Sequence, residues 1–121
     1  MLALITCVFN PANSQRLKDN YVQFRKNLKH PIVTVELAFN HQPFFIEDAI
    51  QVRGTDENLM WQKERLLNIA LESLPAHIDK VAWLDADIIF CNENWFIETE
   101  KRLETHKVIQ PFEYVFERGN I

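Results

Sequence analysis

Only 2 glycines and 5 prolines occur in the 121 residues, which excludes a collagen-like protein or a Gly/Pro-rich linker. The two cysteines, Cys7 and Cys91, have no CxxC spacing, so a structural zinc site is not expected. Each lies in or beside an apolar run, and both are expected to be buried reduced thiols. No apolar stretch approaches the ~20 residues that a membrane helix requires. Basic charge is also scarce. The 13 Lys and Arg face 17 Asp and Glu, giving a net charge of −4. That disfavours a nonspecific nucleic-acid binder, which needs a basic surface. Hydrophobic residues at 47% and charged residues at 25% then point to a globular chain able to bury a core. The length fits a single domain, 1–121.

The opening run from Leu2 to Phe9 is apolar but lacks the basic start and small-residue cleavage site of a signal peptide. It reads as a buried strand closed by Asn10-Pro11, and the expected location is cytoplasmic. Asn13 or Ser14 then caps a helix to about Lys29, with Leu17, Tyr21, Phe24 and Leu28 on one face. Ile32 to Phe39 is rich in β-branched residues and reads as a second strand ending near Glu36. Phe44 to Val52 is expected to be extended. Gly54-Thr55-Asp56 breaks the chain ahead of a helix from about Glu57 to Leu74, with Leu67, Ala70, Leu71 and Leu74 inward. Val81 to Phe90 reads as the strongest strand, apolar except for Asp85 and Asp87. A third helix is expected from Trp95 to Thr105, with Asn92 or Asn94 as cap, and a last short strand at Val108–Phe112. Pro111 would put that strand at a sheet edge or a strand end. Alternating strands and helices with apolar strands predict an α/β/α three-layer sandwich with a mainly parallel sheet. Ligands of such sheets bind beyond the carboxyl ends of the strands, where Asn10, Glu36 and Asp85-Ala86-Asp87 are expected.

The Asp85-Ala86-Asp87 triplet is the informative motif. On a strand, positions i and i+2 share a side, so two carboxylates would converge inside an apolar run. A hard divalent cation, Mg²⁺ or Mn²⁺, is the simplest compensation for two neighbouring negative charges. The plainer alternative is a strand end with solvated acids. Lys63 and Arg65, in the first half of the second helix, could reach an anionic ligand, or could simply line an exposed face with Glu64. Two readings stand for Glu36: a bond to a ribose or base edge at the rim, or a solvent-facing edge position. Asn10 is either a nucleotide-contacting loop residue or a turn. Trp61, Trp83, Trp95 and Phe96 are expected in the core. His30, His41, His77 and His106 have no metal-ligand spacing and read as surface residues. Five basic residues between Arg16 and Lys29 read as a solvated helix face, with weak membrane-surface association as a minor alternative.

The run Lys63-Glu64-Arg65-Leu66-Leu67-Asn68, then Leu74-Pro75, then Asp79 to Asp87 with its Asp-x-Asp, resembles the donor-binding half of GT-A-fold glycosyltransferases. The resemblance extends from Leu4 to about Phe112. It implies a nucleoside-diphosphate sugar donor, with UDP-sugars the first expectation, and Mn²⁺ or Mg²⁺. It implies that Asp87 ligates the metal and that Asp85 contacts the metal or the donor ribose. It implies nucleoside contacts from Asn10 and Glu36, and phosphate or sugar contacts from Lys63 or Arg65. The acceptor (a glycan, lipid-linked glycan or protein) is open. Members of that fold are about twice as long, and no candidate catalytic base is seen here. The expectation is therefore a truncated domain, or a reduced relative that binds donor without completing transfer. Two rivals remain. A haloacid-dehalogenase-type phosphatase carries its Asp-x-Asp after the first strand, with Thr or Val two residues on, where this chain has Ile89. A non-catalytic nucleotide-sugar-binding or interaction module would show no metal-linked stabilisation.

Overall fold

The computed structural model of the chain describes residues 1–55 and 62–112. The chain divides into two units, Met1–Ile89 and Phe90–Ile121. The first contains β1 (Leu2–Phe9), α1 (Gln15–Leu28), β2 (Val33–Phe39), β3 (Ile50–Gly54), α2 (Lys63–Glu72) and β4 (Lys80–Trp83). The second contains α3 (Trp95–Leu103).

The protein is α/β, with a four-stranded sheet in the order β3-β2-β1-β4. Every pairing is parallel. Ile5 lies opposite Val33 and Phe9 opposite Leu37; Leu2 lies opposite Lys80 and Ile5 opposite Trp83; Val35 lies opposite Ile50 and Phe39 opposite Gly54. The central strands β1 and β2 are buried on both sides, and the polar residues they carry, Thr6, Thr34 and Glu36, are buried as well. On one side Ile5, Val35, Leu37 and Phe39 form a core with Leu66 and Ala70 of α2. Thr6, Val8, Thr34 and Glu36 alternate with those residues and so face the other way. There Tyr21 of α1 packs with Val8 and Ile46, and its hydroxyl bonds Thr34 Oγ1 at 2.8 Å.

Local signals set α1 well. Ser14 Oγ accepts from Leu17 N, and Lys29 ends the helix in the left-handed conformation. Tyr21, Phe24 and Leu28 are buried as their spacing predicts. Helix α2 shows the expected face at Ala70, Leu67 and Leu74, but buries Leu66 in place of Leu71. Leu66 and Ala70 are its buried residues, Leu67 and Leu74 are half-buried, and Leu71 is 46% exposed. The expected start of that helix near Glu57, the Asp56 cap and Trp61 lie outside the described residues.

Three expected strands change. Of Phe44–Val52, only the end joins the sheet, as β3. Phe45 N and Ile46 N donate instead to the Glu36 carboxylate, at 3.0 Å each, so this stretch leaves the ladder. The expected Val81–Phe90 strand is four residues long and stops at Trp83. Val108–Phe112 forms no strand. In the second unit, α3 begins after Asn94, whose N–H is taken by Asn92 Oδ1 at 2.9 Å. Trp95 is buried and stacks on Phe90 with ring centroids 3.9 Å apart. Trp83 is 62% exposed rather than in the core. Cys7 is half-buried and Cys91 exposed, so only the first approaches the expected burial; both are free thiols.

Candidate acidic site at the exit of β4

The order β3-β2-β1-β4 places the first three strands to one side of β1's outer edge and β4 on the other. Chain connections therefore diverge between β1 and β4. Sheets of this kind open a crevice at that point, beyond the carboxyl ends of the strands. The Asp85-Ala86-Asp87 triplet leaves the sheet here.

Its placement begins with a threonine in an otherwise apolar strand. Thr6 of β1 is fully buried, and its Oγ1 donates to the Leu84 carbonyl at 2.6 Å. Leu84 N in turn donates to Ile5 O at 3.0 Å. These two bonds hold the residue after β4 against β1. The chain then turns at Ala86-Asp87, and Ala86 packs against the Val8, Tyr21 and Ile46 cluster. The acids therefore sit in a strand exit and turn, so the period-two reasoning for their convergence does not apply. Both are exposed.

The structure brings Lys63 and Asp85 together. Lys63 is the first residue of α2, and its Nζ donates to Asp85 Oδ1 at 2.9 Å. Their side chains are 30% and 64% exposed. The carboxylate holds the Lys63 ammonium above the ordinary lysine range. Cys7 lies within electrostatic reach of both. Burial pushes its thiol up, partly offset by Lys63 and reinforced by Asp85. A buried thiol shifted this way is a poor nucleophile.

The other expected residues are occupied elsewhere. Arg65 is exposed and donates to Gln62 Oε1 at 2.7 Å, within its own helix start. Glu36 is 3% exposed in the middle of the interior strand β2, which runs on to Phe39 instead of ending near it; it is not solvent-facing on an edge, and its two oxygens take the Phe45 and Ile46 amides. Asn10 is buried; its amide closes a ring with Ser14, donating to O at 2.9 Å and accepting from N at 2.8 Å. Its carbonyl takes Gln42 Nε2 at 2.7 Å. Glu36 and Asn10 thus shape the loops over the ends of β1 and β2. Thr6 and Gln42 were not among the expected residues. A lone threonine in the Leu2–Phe9 run was the one available signal for the first.

Among the described residues, no three His, Cys, Asp or Glu gather as a metal-ligating group. His41, His77 and His106 are exposed and His30 is half-buried. No described helix is long and apolar enough to cross a membrane. Comparison with models of known families, with curated proteins and with solved structures gives no match.

Proposed function

We propose that the chain is the donor-binding part of a metal-dependent glycosyltransferase (hexosyltransferase-type) with a GT-A-like three-layer α/β/α architecture. Its ligand would be a nucleoside-diphosphate sugar, with UDP-sugars the first to test. The observation that carries the reading is the Lys63–Asp85 pair at the exit of β4, with Asp87 two residues on, beside the divergence of β1 and β4.

Asp85 and Asp87 would be the residues that hold the implied ion; no third His, Cys, Asp or Glu gathers with them among the described residues. Asp85 and Asp87 offer exposed hard oxygens, and two carboxylates leave positions for water and phosphate. Mg²⁺ and Mn²⁺ accept such incomplete protein coordination when a substrate diphosphate completes the shell. When bound, the ion would neutralise charge on the departing diphosphate. The chain's own residues supply the rest. Thr6 fixes the peptide that carries Asp85, and Lys63 brings a positive charge to the same place for the phosphates. Glu36 and Asn10 support the loops at the rim.

The test is calorimetric and thermal. Titration of the wild type with UDP-glucose and Mn²⁺ should show metal-dependent binding, and ~100 Kd of donor should raise stability by ~2.7 kcal/mol. Asp87→Ala should abolish that gain and keep the fold. Equal donor affinity in the two proteins, or no metal dependence in the wild type, would end this reading.

A further inference from the structure

We propose that the outward face of α1 is a docking surface for an anionic lipid bilayer. The proposal is independent of the acidic triplet. Charge is strongly segregated in this chain. Helix α1 and its C-terminal cap carry Arg16, Lys18, Arg25, Lys26 and Lys29 against Asp19 alone, leaving 8 of the 13 basic and 16 of the 17 acidic residues to the rest of the sequence. Burial of Tyr21, Phe24 and Leu28 fixes the orientation of the helix and turns its other face outward. Two of the cations are engaged within the protein: Arg25 with Asp48, and Lys18 over the Phe45 ring, 5.8 Å from its centroid. Arg16, Lys26 and Lys29 are exposed, and none of them forms an ion pair among the described residues. Asp19 takes Gln15 Nε2 at 3.0 Å.

Val22 is the second observation, and it selects among anionic partners. Its side chain is 60% exposed, four residues from Lys18 and from Lys26, three from Arg25 and seven from Lys29. Residues at those spacings are neighbours on one helix face, so an apolar side chain stands among basic ones. A nucleic-acid backbone would reward the cations but offers nothing to Val22, and the overall charge of −4 opposes it. An anionic bilayer offers both: negative headgroups for the cations and an apolar boundary just beneath for Val22. Lysine and arginine stems lie along such a boundary with their charged ends among the headgroups. Each cation near the surface adds roughly fivefold to partitioning. With so few free cations and one valine, the attachment is reversible and sensitive to salt.

The experiment is co-sedimentation of the full chain with two kinds of vesicle, phosphatidylcholine alone and an equal mixture of phosphatidylserine and phosphatidylcholine. Wild type should pellet with the mixed vesicles at low salt, stay in solution with phosphatidylcholine alone, and be released from the mixed vesicles at high salt. The double variant Lys26→Gln/Lys29→Gln should bind about tenfold more weakly. Val22→Gln should bind about threefold more weakly with the salt dependence unchanged, and Val22→Trp about tenfold more tightly. All these positions are exposed, so circular dichroism and urea midpoints should stay close to wild type and show each variant folded. No binding by wild type, equal binding to both kinds of vesicle, or a double variant that binds like wild type overturns the proposal. Binding of a polyuridine RNA that the double variant loses, with vesicles left unbound, overturns it in favour of nucleic acid.

Discussion

Thr6 and Leu84, 78 residues apart in sequence, are joined by a 2.6 Å bond from a buried hydroxyl to a backbone carbonyl. The contact lies at the point where β4 has ended and the chain leaves the sheet toward Asp85 and Asp87. It connects the core of the protein to its candidate site, because the peptide held by Thr6 is the one immediately before Asp85.

Replacing Thr6 with valine keeps the shape and removes the donor. The Leu84 carbonyl would then be left without its side-chain partner in a buried setting. The expected cost is about 1–3 kcal/mol, read as a lower urea midpoint with an unchanged slope. Thr6→Ser should recover most of the loss. A valine variant as stable as wild type would show that the hydroxyl does not hold the strand exit.

Glu36 serves the fold in a comparable way. Its two oxygens accept the Phe45 and Ile46 amides at 3.0 Å each, and it is 3% exposed. Glutamine can accept with one oxygen only and would point its amide hydrogens at the second N–H. Glu36→Gln should destabilise by about 2 kcal/mol and speed hydrogen exchange at Phe45 or Ile46. If instead the variant keeps its stability but loses UDP-glucose binding, the carboxylate serves a ligand and not the loop.

Much of this architecture was legible from residue pattern. The central strands declared themselves by their apolar and β-branched residues, even though β2 carries Thr34 and Glu36 on one buried face. Helix α1 carried its own cap, stripe and stop. What escaped depends on contacts between distant segments. The exit of β4 is tied to Thr6. The departure of Phe45 and Ile46 from the sheet needs Glu36. The orientation of α2 was ambiguous locally, since Leu66 and Ala70 form one i, i+4 stripe while Leu67 and Leu71 form its neighbour. Both Asp85 and Lys63 stood out as candidates, but nothing local joins residues 22 positions apart.

The α2 ambiguity can be tested directly. Leu66 is fully buried against Ile5, Val35, Leu37 and Phe39, whereas Leu71 is 46% exposed. Leu66→Ala should cost about 2–5 kcal/mol by emptying part of that core. Leu71→Ala should stay within about 0.5 kcal/mol of wild type. Equal losses in urea denaturation would mean that α2 presents a different face.

A pH-dependent contribution is built into the opposite side of the sheet. Arg25 Nη1 and Nη2 donate to Asp48 Oδ1 at 3.1 Å and Oδ2 at 2.6 Å, and Nη1 also donates to the Tyr21 hydroxyl at 2.8 Å. The guanidinium holds the Asp48 carboxyl below the usual carboxylate range. A carboxyl depressed in the folded state stabilises above its unfolded value, about 3.9, and that contribution is lost as pH falls through the folded value. Asp48 is 61% exposed, so solvent screening limits the effect to about 0.5–1 kcal/mol. Asp48→Asn should therefore be less stable than wild type by that amount at pH 7, and the two proteins should converge as pH falls through the lowered carboxylate value. Urea titrations at pH 7 and across the acid range measure the difference. A gap that persists undiminished in acid would assign the contribution to packing or to neutral hydrogen bonding rather than to the ion pair.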